Sequence, residues 1–195
     1  MKTITLITLF VGALAFITNA YASVSGNLGV TTDYLWRGAS QGDGVSLSGG
    51  LDYEGEGYYA GMWTSSLGGS GEYETDFYVG TDINGFDVGF ISYEYSEAAD
   101  GLDFSEYYVG YTYQGFDLFY AVNTDDSDAD YFSVTYGLPT IVEGISSSLT
   151  YGDSGAGEDL DEDYLQLDIS YGDLTLSVLD EDAGTSTALS YGWSL

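Results

Sequence analysis

The residues of this sequence best suited to chemistry are carboxylates that alternate with apolar, aromatic or hydroxyl neighbours. Asp33, Glu74, Asp76, Asp87, Glu106, Asp117 and Asp168 all sit in such surroundings. If these segments are strands, a side-chain period of two puts the acids on one face and the apolar residues on the other. Unpaired charges are unstable in a dry, packed interior, so an inward face carrying them has to be wet or fully hydrogen-bonded. Carboxylates along a narrow aqueous passage attract cations and repel anions. A pair such as Glu74 and Asp76 also has the groups for acid-base work on a sugar, but no substrate-pocket pattern accompanies it, and an enzyme is not expected.

Arg37 is the one base among these acids. It lies four residues beyond Asp33, which on a continuous strand places both on one face. Two roles are open to it: bridging carboxylates to pin the first long loop, or acting as a selectivity element at a mouth.

The elements that must position these residues can be traced from three tight turns. Asn84-Gly85, Gln114-Gly115 and Gly172-Asp173 have two-residue hairpin chemistry, so Ile83 with Phe86, Tyr113 with Phe116, and Tyr171 with Leu174 should pair and share a face. Stepping by two from these apolar pairs gathers Phe77, Val79, Val88, Phe90, Tyr107, Val109, Leu118 and Tyr120 on one face. The opposite face collects Glu74, Asp76, Asp87, Glu106, Asp117 and Asp168. Strands are expected near 24–36, 45–53, 58–66, 72–83, 86–95, 105–113, 116–123, 131–138, 145–152, 164–171, 174–179 and 186–195. The facing of the third stays open, because Tyr58, Tyr59, Met62 and Trp63 fit either side. In the fifth, Ser92 and Glu94 fall on the apolar face, which a bulge near Ile91 would repair.

Short connectors alternate with longer acidic ones, such as Arg37 to Gly44, Thr124 to Asp130, Asp153 to Asp163 and Asp180 to Gly184. This predicts an all-β chain: a closed, antiparallel, up-and-down transmembrane β-barrel of about twelve strands, short turns at the periplasmic end and long loops outside. Aromatic residues crowd the strand ends, Tyr53, Tyr58, Phe86 and Tyr171 at the short turns and Tyr34, Trp36, Tyr73, Tyr107, Tyr131 and Tyr164 at the long ones, as two interfacial belts would. The last strand alternates Leu189, Tyr191, Trp193 and Leu195 with small residues, like the terminal signal that barrel-assembly machinery recognises. A cylinder of this size is only roughly 20–24 Å across its backbone, so a plugged interior with carboxylates bonded to Tyr, Ser and Thr remains the alternative to an open lumen.

Composition narrows the function. Lys2, the apolar run Ile4 to Ile17 and Ala20-Tyr21-Ala22 read as a cleaved signal peptide over 1–22, leaving 23–195 as the barrel of a Gram-negative bacterium's outer membrane. That portion holds Arg37 against 32 acids, a formal charge of −31, which repels nucleic acid. With neither Cys nor His there is no thiol or imidazole chemistry, and no cofactor is expected. Asp126, Asp128 and Asp130 have the spacing that opens a calcium loop. However, Tyr131 stands where such a loop needs Gly and Gly137 where it needs a bidentate acid, so they are weak Ca²⁺ candidates and no specific metal site is expected.

The run Val30 to Gln41, with Leu51-Asp52-Tyr53 and Tyr59-Ala60-Gly61-Met62-Trp63 after it, resembles the opening of the proteobacterial TorF family. In that family a signal peptide precedes an "SDYRFRGxSQ"-like strand and loop, a "GGxDY" strand and a "YAGxW" strand. Position by position the resemblance marks Asp33, Tyr34, Arg37, Gly38, Ser40 and Gln41, and Leu35-Trp36 replaces a common Arg-Phe pair. The family name implies an outer-membrane porin. The sequence reading is therefore a porin-like channel for passive, cation-preferring diffusion of ions or small solutes, whose partners are outer-membrane lipid, assembly machinery and inorganic cations. A non-conducting acidic barrel with a structural, surface or adhesion role is the alternative, and a soluble acidic β-sandwich a third class.

Overall fold

The computed structural model describes residues 22–42, 44–96, 102–126, 129–156, 161–181 and 184–195. The expected signal peptide lies outside them except for Ala22. Over the described residues the chain alternates strands and turns: β1 (Ser23–Thr31), β2 (Leu35–Trp36), β3 (Ala39–Ser40), β4 (Ser46–Glu54), β5 (Tyr59–Ser66), β6 (Tyr73–Ile83), β7 (Phe86–Tyr95), β8 (Phe104–Tyr113), β9 (Phe116–Asn123), β10 (Ala129–Gly137), β11 (Ile145–Ala156), β12 (Asp161–Tyr171), β13 (Leu174–Glu181) and β14 (Gly184–Ser194). Twelve of these close into an antiparallel barrel in which each strand pairs with its chain neighbours and β14 returns to β1. β2 and β3 form a separate two-stranded hairpin between β1 and β4.

Turn chemistry sets the register. Asn84 and Gly85 both have positive φ, as do Gln114 and Gly115, the backbone a two-residue turn needs to match strand twist. Ile83 pairs with Phe86, Tyr113 with Phe116 and Tyr171 with Leu174, as the turns require. With one face thus fixed in each hairpin, the apolar set points away from the barrel axis. Phe77 is 49 % exposed and Val79 47 %, and Leu51, Phe132, Leu165 and Ile169 are exposed as well. Glu74, Glu106, Ser133, Ser148, Thr150, Asp168, Ser170 and Ser177 are buried. A soluble domain is built the other way round, with apolar residues inside.

The third barrel strand, β5, faces Trp63 and Ser65 inward and Met62 outward. No bulge interrupts the fifth: β6 and β7 pair without a break from Glu74–Tyr95 to Ile83–Phe86. Ser92 and Glu94 do point outward, but near the long-loop end of β7, where they bond to each other at 2.9 Å. One expected loop, Asp153 to Asp163, is mostly strand, since β11 runs to Ala156 and β12 starts at Asp161. Four of the expected belt residues are internal: Tyr34, Tyr131 and Tyr164 are buried, and Trp36 packs against the cluster of Tyr34, Trp63 and Leu67. Tyr73 and Tyr107 are outside as expected.

Candidate functional site

The first strand ends at Thr31, five residues earlier than its pattern suggests, and the chain then leaves the wall. Thr32 keeps two links to it, its amide donating to the Leu189 carbonyl at 3.0 Å and its Oγ1 accepting from the Leu189 amide at 2.9 Å. The hairpin β2–β3 reverses at Arg37-Gly38, both with positive φ, and closes where the Gln41 amide donates to the Tyr34 carbonyl at 2.7 Å. Left-handed backbone at an arginine costs about 1–2 kcal/mol, so contacts of its side chain have to offset it. They are extensive. Arg37 Nη1 and Nη2 donate to Glu106 Oε1 and Oε2, each at 2.7 Å, and the guanidinium lies 4.5 Å from the centre of the Trp36 ring and 4.1 Å from that of Tyr131.

The hairpin therefore occupies the long-loop half of the interior. Tyr34 donates to Glu74 Oε1 at 2.9 Å and meets Trp63 edge-on. Trp36 packs edge-on against Tyr93, and Tyr93 stacks on Phe104. Leu35 contacts a cluster of Tyr131, Tyr164 and Leu179, where the two phenols are 2.6 Å apart. Burial alone lowers the basicity of the Arg37 guanidinium, and Tyr93 and Glu106 outweigh that and raise it above its ordinary value. Burial and then the negative field of Glu74 and Asp76 push the Tyr34 phenol up, so it stays a donor.

The short-turn half is filled differently. Tyr59 donates to Asp87 Oδ1 at 2.6 Å and lies 2.5 Å from the Tyr108 hydroxyl, while Tyr78 donates to Asp52. Each ring lies over a glycine directly opposite it: Tyr59 over Gly80, Tyr78 over Gly61, Tyr108 over Gly89. A β-carbon at any of the three would overlap the ring. Farther round the wall Asp168 accepts from Ser177 Oγ at 2.6 Å and from Gln166 Nε2 at 3.0 Å.

The expected residues thus divide into groups. Glu74, Asp76 and Glu106 surround the hairpin, and Asp168 is buried on the β12 wall. Asp87 is half-buried near the short turns, and Asp117 is exposed there, accepting from Thr112 at 2.6 Å. Asp33 and Arg37 do not share a strand face. Asp33 accepts from Ser40 Oγ at 2.6 Å at the hairpin base, while Arg37 reaches inward from its tip, because the chain turns off the wall between them. Of the two roles open to Arg37, pinning the first long loop is the one its geometry matches. Asp130 accepts from Tyr120 at 3.0 Å, Asp126 is exposed and Asp128 lies outside the described residues. Among the described residues no group of three or more acids is placed to hold a metal ion. The tyrosine–glycine pairs escaped the sequence reading, although Gly80 and Gly89 both lie on the inward face.

Across residues 18–191 the sequence matches a family described as "Bacterial protein of unknown function (Gcw_chp)". The chain belongs to that family. The span reaches from before β1 to Tyr191 of β14, so the hairpin and almost the whole barrel fall within what defines Gcw_chp proteins. No curated protein matches the chain.

Proposed function

We propose that this Gcw_chp protein is an outer-membrane barrel that lets small cations cross passively along an acidic lumen narrowed by the β2–β3 hairpin. The observation that carries the reading is the charge of the interior. Arg37 is committed to Glu106, while among the described residues Glu74, Asp76 and Asp168 lie on the inner face with no base of their own. Such an interior draws cations in and turns anions away. Membrane residence is supported by the inverted wall, apolar outside and polar within, and by the exposed Leu189, Tyr191, Trp193 and Leu195 of the closing strand. The resemblance to TorF proteins adds the porin class, and signal-peptide export would bring the chain to that membrane.

The hairpin packs on the wall through Leu35, against Tyr131, Tyr164 and Leu179, so hydrated cations would pass the Ser- and Thr-rich face of β11, β12 and β13 when it shifts from that contact. Planar-bilayer recording of refolded protein tests this: channel events with a reversal potential on the cation side are expected. Absence of events would sink the channel, and an anion-side potential would sink the mechanism.

One observation favours a second reading. The hairpin is packed between Tyr93 and Tyr131 and bonded at both Tyr34 and Arg37, which suits a non-conducting barrel with a structural or surface role. That reading predicts a folded, detergent-dependent, electrically silent protein.

A further inference from the structure

Glu74 and Asp76 stand two apart on the inner face of β6, and their carboxylates have an unmet need. Glu74 is 1 % exposed and Asp76 8 %, and although Tyr95 lies near Glu74 and the two carboxyls lie near each other, Glu74 Oε2 and Asp76 Oδ1 accept no hydrogen bond of ordinary geometry among the described residues. Buried carboxylate oxygens without donors are rare, and an ion or ordered water is the usual resolution. Among the described residues no base is free to neutralise them, since the Arg37 guanidinium is bidentate on Glu106. The surroundings form a defined compartment: Trp63 lies across from Asp76 on β5, Tyr95 across from Glu74 on β7, and Tyr34 of the hairpin closes it by bonding Glu74 Oε1.

We infer that Glu74 Oε2 and Asp76 Oδ1 bind a hard divalent cation of the Mg²⁺ or Ca²⁺ class beneath the β2–β3 hairpin. Two carboxylates balance its charge, and hard oxygen donors completed by water are the coordination such ions take. The site deepens the channel reading by giving the lumen a resident cation, and it rests on that reading only for the ion's route of entry. A bound ion would tie β6 to the hairpin through Tyr34 and stiffen the plug.

The test is calorimetric titration of the refolded full barrel in zwitterionic detergent, with MgCl₂ and CaCl₂ separately, at an NaCl concentration that screens the acidic loops. Tryptophan fluorescence is recorded alongside, since Trp63 abuts Asp76. One saturable site per chain with a fluorescence change is expected for at least one ion, weakened about tenfold or more in Glu74→Gln and in Asp76→Asn. Asp117→Asn, on the exposed rim, should keep it. Unchanged binding in both inner variants would overturn the inference, as would no saturable binding to wild type, which would leave a shared proton as the neutralising species. The wild-type titration decides even if a variant fails to fold. Bilayer silence with saturable binding would remove the channel and keep the site, and conduction without binding would do the reverse.

Discussion

Arg37 and Glu106, 69 residues apart in sequence, meet inside the barrel through two parallel bonds of 2.7 Å, with side chains 8 % and 4 % exposed. A pair so withdrawn from water is strongly destabilised when one partner is removed, by about 3–5 kcal/mol, because the other charge stays buried and unpaired. Arg37→Gln should therefore lower the urea midpoint of the refolded barrel more than Arg37→Gln/Glu106→Gln does. If the hairpin is the constriction, both should also raise single-channel conductance. A double variant no more stable than the single would show that the guanidinium acts through Trp36 and Tyr131 instead.

The tyrosine–glycine pairs make a separate claim about the short-turn half. Gly80 lies opposite Tyr59, and a β-carbon there would come within 2.8 Å of the ring's Cε1. Gly80→Val should force the ring out of its place and break the Tyr59 bond to Asp87, costing about 1–3 kcal/mol as an overpacked core does. Tyr59→Phe should cost less, since the ring stays and one bond is lost. Heat-modifiable gel mobility across a urea series ranks the two, and equal losses would mean that the ring's fit against Gly80 contributes little.

Most of the wall was legible because its determinants are local. The turns at Asn84-Gly85, Gln114-Gly115 and Gly172-Asp173 fixed which residues pair, and a period of two carried that facing outward to Glu74, Asp76, Glu106 and Asp168. The hairpin was not legible, because nothing local marks Thr32 as the point where the chain leaves the wall. Parity carried past Thr31 put Arg37 beside Asp33, whereas its true partner, Glu106, is supplied by β8. The internal positions of Trp36, Tyr131 and Tyr164 follow from the same departure: the hairpin brings its own apolar surface inward, and these rings cover it. Unpaired inner acids signalled that something had to be wet or bonded, and at Glu106 it is a bond, to an Arg37 that the pattern does not name as its partner.

The inverted wall predicts opposite results for one substitution in two environments. Val79 is 47 % exposed midway along β6, so in water Val79→Arg should be harmless or improve solubility. In a bilayer the same arginine faces lipid and should cost about 2–4 kcal/mol, falling towards zero for Glu94→Arg near the long-loop end. Unfolding titrations in lipid vesicles compare the two. Equal stability of Val79→Arg and wild type in vesicles would argue against membrane residence.

Charge placement also predicts a gradient of effect on selectivity. Asp76 is buried beside the hairpin, where low polarizability and a narrow path strengthen its field on a passing ion. Asp117 lies exposed on the rim, where water and salt screen it. Asp76→Asn should move the reversal potential in a KCl gradient free of divalent cations clearly towards zero, and Asp117→Asn should move it little, less still as the salt concentration rises. Equal shifts for both would place the selectivity step at the mouth rather than at the hairpin.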